Sequence, residues 1–255
     1  MERAIRFRDE PNINGTGGPL STMVAMEFPE VRKASTREGA AERRADAQRN
    51  RQRILTAARR LYATEGLGIS MAAVSREAGV GKATLFRHFA TVPDLVSAAF
   101  AEQMDAYVLA TQEALAEDDA WWGFIRYVIT VCEMQAGDRG FADVLTTALP
   151  GSADFEARRV QAYEGFLEVV ERARSTGHLR DDFTSQDLIL VLFANAGVVA
   201  ATASEAPESW RRLIGHLIRG FAAEGAPTPS LPTPPDDEAL YRAMTRDAPV
   251  AIRRR

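Results

Sequence analysis

Lys82, Thr84, Arg87 and His88 follow one another within a single short stretch, and all four offer hydrogen-bond donors with no acid among them. At helical spacing they share the outward side, because Leu85 and Phe89 fall at i, i+4 and must turn toward a core. Donors displayed in this way suit the edge of a DNA major groove, where guanine presents O6 and N7 as acceptors and phosphate oxygens line the rim. Phe86, on the same outward surface, brings apolar contact of the kind a thymine methyl accepts.

Those side chains need a scaffold that holds one short helix against another. From Ser70 to Phe89 the chain reads S-M-A-A-V-S-R-E-A-G-V-G-K-A-T-L-F-R-H-F. Met71, Val74 and Ala78 recur at i, i+3, i+7, Ser70 is placed to cap the start, and Gly79 stands where a positive φ would end the first helix. Val80 then plugs the space between two helices, and Lys82, Ala83 and Thr84 fill the first turn of the second, the turn that reads bases in a helix-turn-helix. Upstream, Ile54, Leu55, Ala58, Leu61 and Tyr62 form an apolar helical stripe that Gly66 closes, while Arg49, Arg51, Arg53, Arg59 and Arg60 occupy much of the remaining surface. Downstream, Thr91-x-x-Asp94 is a capping box opening a long helix with Leu95, Ala99, Phe100, Met104, Tyr107 and Val108, expected to leave the head as one rigid rod to about residue 117. Its first N–H groups, near Thr91, can hold a phosphate.

With A-G-V-G-K-A-T-L-F-R-H-F followed by D-L-V, the segment of about Arg49 to Tyr107 resembles the TetR family of one-component transcriptional regulators. Gly79, Val80, Lys82, Ala83, Thr84, Leu85, Phe86, His88 and Phe89 match that family's pattern; Gly81 departs where Ser or Thr is common, and Val92 replaces a lysine expected to touch the DNA backbone. The resemblance implies an all-α protein, with an N-terminal three-helix DNA-binding domain followed by a helical bundle for ligand binding and dimerisation. The DNA-binding residues so expected are Arg53, Ser70, Lys82, Ala83, Thr84, Phe86, Arg87, His88 and Thr91. For His88 a phosphate contact competes with simple packing at the helix end, and for Arg87 a base edge competes with phosphate.

Charge is distributed as this organisation requires. The chain of 255 residues has a formal net charge of −4, yet Arg43 to Asp94 carries ten basic and four acidic residues, whereas Ala101 to Gly225 carries ten basic and twenty acidic. A basic head on an acidic body is the asymmetry expected when one end meets polyphosphate. A single cysteine, Cys132, excludes an intrachain disulfide, and no uncharged run of about eighteen apolar residues suggests a membrane span. The N-terminal segment does not read as a signal peptide, so the expected location is the cytoplasm. Met23 and Met26 are alternative starts to Met1.

Composition marks a disordered extension over 1–42 and a proline-rich, disordered tail over 226–255, and the resemblance implies a DNA-binding domain over 43–92 and an effector-binding and dimerisation domain over 93–225. The arginines of 43–53 read equally as an arm along the DNA backbone or as a solvated helical turn. Helical patterns recur at about 92–117, 120–136, 138–149, 153–177, 185–204 and 207–224. Asp187 to Ala203 is apolar on nearly every side, and with Trp210, Leu213, Ile214, Leu217, Ile218 and Phe221 it suggests homodimerisation through the helices at 185–204 and 207–224; the other reading is the central helix of a monomeric bundle.

Met104, Tyr107, Trp122, Phe124, Tyr127, Met134 and Phe141 either line a cavity for an apolar or aromatic effector or simply fill the core. Cys132, His178 and His216 match no ligand spacing, so no metal or cofactor is expected, and no nucleophile or phosphate-loop motif marks an enzyme. The function expected is a regulator, most simply a repressor, that binds a palindromic operator as a homodimer and is released by a small molecule. The competing readings are a helical enzyme or protein-interaction module retaining the helix-turn-helix as scaffold, and a nonspecific DNA binder.

Overall fold

The computed structural model describes residues 31–147 and 152–245, with side chains described from Ala40 onward. Among the described residues there are eleven helices: α1 Val31–Glu65, α2 Met71–Glu77, α3 Lys82–His88, α4 Val92–Ala99, α5 Ala101–Ala116, α6 Ala120–Gly137, α7 Arg139–Thr146, α8 Ala153–Ser175, α9 Ser185–Thr202, α10 Ser209–Phe221 and α11 Asp237–Thr245. No strand is present among them; Leu179 and Ala222 form one isolated antiparallel bridge. The all-α expectation holds.

The chain divides into one unit ending at Arg44 and another beginning at Ala45. Within the first, the helix already runs from Val31, where disorder was expected up to residue 42. The run of Ala40, Ala41, Glu42, Arg43 and Arg44 is built from good helix formers, and Arg44 Nε donates to the Ala40 carbonyl at 3.3 Å. Residues 1–30, with the rest of that expected disorder, lie outside the described residues.

In the second unit, Ile54, Leu55, Ala58 and Tyr62 of α1 are buried as their spacing predicts. The body is built on α5, which packs against α8 and α6, while α9 packs against α6, α7 and α10. Close approach of α5 and α6 depends on Gly123, where a Cβ would stand 2.5 Å from the Ala114 carbonyl oxygen. Arg172 of α8 donates to the carbonyls of Leu115 and Glu117, satisfying acceptors that the end of α5 leaves free.

Two features differ from expectation. The helix leaving the head is interrupted at Phe100 (φ −109°, ψ 16°), so α4 and α5 are two rods with a joint. Arg59 Nε takes the Ala99 carbonyl at 2.6 Å, and the fully buried Phe100 ring is held between Tyr62 and Phe141, with centroids 5.9 and 6.3 Å away. A side-chain donor on a helical carbonyl together with a large anchored ring accounts for the break.

The tail over 226–255 was expected to be disordered; through residue 245 it is packed on the body. Carbonyls of its extended prolines accept from Trp121 Nε1 (Pro227, 2.6 Å), Arg219 (Pro229, 3.3 Å) and Arg212 (Pro232, 2.6 Å). Polyproline backbone has carbonyls to offer and no N–H to satisfy, so such a strap suits a surface lined with donors. Leu231 settles over Gly215, Asp236 caps α11 through the N–H groups of Glu238 and Ala239, and Arg242 binds Glu205 at 2.8 Å. Residues 246–255 lie outside the described set.

Candidate nucleic-acid interface

The helix-turn-helix is locked by several short-range interactions. Ser70 caps α2, its hydroxyl accepting from Ala73 N–H at 3.2 Å. Gly79 adopts φ +61°, and its N–H returns to the Arg76 carbonyl at 3.1 Å. Buried Ser75 completes the turn, its hydroxyl donating to Val80 O at 2.7 Å while Val80 N–H returns to Ser75 O at 3.1 Å. Leu85 and Phe89 anchor α3 in the core.

This leaves Lys82, Ala83, Phe86 and Arg87 exposed on α3, with Thr84 half-buried beside them. Lys82 and Arg87, together with exposed Arg76 of α2, form no ion pair among the described residues. Thr91 is exposed and closes the capping box of α4: its hydroxyl accepts from Asp94 N–H at 3.2 Å, and Asp94 accepts from Thr91 N–H at 3.0 Å. His88 is half-buried against Phe89, and its Nε2 has no partner. Burial, then the charges of Arg87 and Arg51, lower the pKa of the His88 imidazole from its ordinary value.

The arginines of α1 make contacts within the head. Arg53 donates to the Gly79 carbonyl at 3.1 Å, Arg60 pairs with Glu77 at 2.6 Å, and Arg51 sits 5.1 Å over the Phe89 ring. These contacts tie α1 to the reading helices, and Arg53 supports the turn rather than standing free. The signal was present in the spacing: Arg53 and Arg60 lie seven apart, two turns along one face of α1. Sequence reasoning also missed Ser75, whose buried hydroxyl is read only once its partner, Val80 O, is in place.

The head rests on the body through α7. Gly140 fits where a Cβ would meet Phe100 Cζ at 2.7 Å and Tyr62 Cβ at 2.9 Å, and Asp143 accepts from Leu67 N–H at 3.3 Å. Among the aromatic and sulfur residues expected around an effector, Met104, Tyr107, Phe124, Tyr127 and Phe141 are buried, Met134 is half-buried and Trp122 is exposed. Tyr127 donates to the Tyr107 hydroxyl at 3.3 Å, and of the seven Tyr107 alone lines the cavity that opens between α5, α7, α8 and α9. The buried Cys132 thiol is pushed up to about 12 by desolvation, and the Cys132 carbonyl accepts from buried Asn195 at 3.0 Å, so this residue belongs to the packing. His178 packs edge-on against Trp121, and His216 is exposed.

Residues 54–99 match the model of bacterial regulatory proteins of the tetR family. An HTH-type transcriptional regulator of Staphylococcus aureus strain USA300 is 39% identical over 66 residues, which are 26% of this chain and 36% of that protein. The chain therefore spans little more than a third of the curated relatives it matches. A gamma-butyrolactone receptor, described as ArpA-like, superimposes with a TM-score of 0.51 at 17% identity, over 78% of this chain and 96% of its own. AmtR of Mycobacterium smegmatis gives a TM-score of 0.50 at 21% identity, over 77% of this chain and 92% of its own. The two structures share the fold of head and body alike.

Proposed function

We propose that this chain belongs to the tetR family of bacterial regulatory proteins, whose model residues 54–99 match, and acts as a ligand-responsive transcriptional regulator. In this reading the head, about 43–92, binds a palindromic operator, the body, about 93–225, senses a small molecule and dimerises, and the outcome is repression relieved by ligand in the cytoplasm. The observation that carries the proposal is the exposed face of α3, where Lys82 and Arg87 stand without acid partners among the described residues while Leu85 and Phe89 fix the helix from behind.

Dimerisation is proposed through α9 and α10. By length and composition α9 is apolar enough to cross a membrane. One side of it packs on α6, α7 and α10, while Ile189, Leu190 and Phe193 are exposed at 46%, 63% and 51%. Patches of that kind on a bundle mark a partner surface, and a two-fold related copy covers it while setting two heads at a fixed separation. A ligand that favours a conformation with wrongly spaced heads weakens operator binding by the same factor that DNA weakens the ligand. The joint at Phe100 and the seat of Gly140 on Tyr62 are where body and head communicate.

Replacing Arg87 by alanine should lower affinity for the preferred duplex by about 1–3 kcal/mol and relax base preference at the contacted position. Fluorescence anisotropy against a set of single-position duplex variants measures both. Unchanged affinity and unchanged preference would show that α3 does not read bases. Arg53→Ala is the contrasting variant, because its expected effect is a loosened turn at Gly79 and a lower unfolding temperature.

A further inference from the structure

We propose that the cavity between α5, α7, α8 and α9 takes a small monocarboxylic acid with an apolar body, its carboxylate held by Arg159. Its role as the releasing ligand rests on the regulatory reading above; the binding itself does not. The cavity has a volume of about 280 Å³, at the small end for ligand sites.

Its apolar wall is made by Leu145, Val160, Leu188, Ile189 and Leu192. The polar side is rich in donors. One N–H of Arg159 (Nη1) donates to the Thr147 carbonyl at 2.9 Å, and its Nε lies 3.9 Å from the Glu156 carboxylate, beyond hydrogen-bond reach. Among the described residues the remaining N–H groups of the fork have no hydrogen-bond partner, Glu156 being only a loose ion pair, and a planar fork of this kind matches a carboxylate through two parallel bonds. Tyr107 adds a second donor. Its hydroxyl accepts from Tyr127, which leaves the Tyr107 proton free for an acceptor in the cavity. Burial raises the Tyr107 phenol while the Arg159 charge acts in the opposite sense, so the two groups are within electrostatic reach.

Charge number limits the ligand. Among the described residues Arg159 is the one cation lining the cavity and Glu156 the one anion, so a second negative charge on the ligand would have no cation to meet. An amine would have to rely on Glu156, whose carboxylate is half in solvent and carries no hydrogen bond among the described residues. Tyr163 and Ser185 at the rim bind one another at 3.0 Å and need no ligand. The combination of two donors, one arginine held only loosely by Glu156 and a hydrocarbon wall therefore selects a monoanionic amphiphile.

The test is isothermal titration of the full chain, without DNA, with hexanoate, octanoate and decanoate, and with octanamide and octylamine as matched controls. At least one acid should bind, with the amide and the amine weaker by about tenfold or more. Arg159→Ala should lose about the same factor and Arg159→Lys part of it, with circular dichroism confirming the fold of each. Failure of all three acids, equal binding of octanamide or octylamine, or undiminished acid binding by Arg159→Ala would each overturn the proposal. Adding the bound acid to a protein–duplex complex separates the two claims: binding without release supports the site and sinks the regulatory coupling, whereas a duplex-binding protein that takes no acid sinks the site alone.

Discussion

A chain carrying both Leu190→Glu and Phe193→Glu should run as a monomer at micromolar concentration and lose operator affinity by on the order of 10²–10⁴-fold. These two side chains are among the most exposed large apolar groups of the body, each with more than half of its surface open. Their replacement costs little within one copy, but in the proposed interface it puts four carboxylates into a surface that must be dry. The loss on DNA exceeds any single contact because the second head would bind as if at millimolar effective concentration once the first is seated. Sedimentation velocity and anisotropy on the same sample check both halves. A variant that stays dimeric would move the interface elsewhere; one that is monomeric yet binds operator at full strength would remove the need for a dimer.

Trp121→Ala should destabilise the body by about 3–5 kcal/mol, the usual loss for a buried tryptophan truncated in a core that cannot collapse. The indole is fully buried, stacks on Phe124 at 5.7 Å and meets His178 edge-on at 6.3 Å. Its Nε1 is also the first clasp of the proline strap, through Pro227 O at 2.6 Å. Trp121→Phe keeps most of the packing and loses that donor, so its cost should be nearer 1 kcal/mol. Denaturant melts of the two variants separate packing from clasp, and protease sensitivity after Gly225 reports whether the strap has lifted. Equal stability of the two variants would show that the hydrogen bond, and not the ring, carries the effect.

The reading head was legible because its determinants are local. Ser70, Gly79 and the Leu85–Phe89 pair fix caps, turn and buried face within twenty residues, and the spacing alone places Lys82 and Arg87 outward. The body's helices were legible for the same reason, each being an apolar period between breakers. What escaped depends on partners distant in sequence. Arg59 interrupts a helix by reaching the Ala99 carbonyl forty residues away, and nothing in the α4–α5 period signals it. The strap was hidden because proline-rich composition describes the chain by itself, while its order comes from Trp121, Arg212 and Arg219 on other helices. The aromatic set named for an effector or for the core rested on residue type alone; five of its seven members are buried, Tyr107 among them also lining the cavity, and the place of Arg159 there depends on α5, α7 and α9, which no local pattern around it signals.

Reading of a two-fold symmetric DNA site by two copies of this head stands or falls on selection of bound duplexes from a random pool. The expected result is an enriched inverted repeat, whose half-sites change in preference when Arg87 is replaced by alanine. Recovery of no sequence above background at low salt, or of a single unrepeated motif, would contradict it.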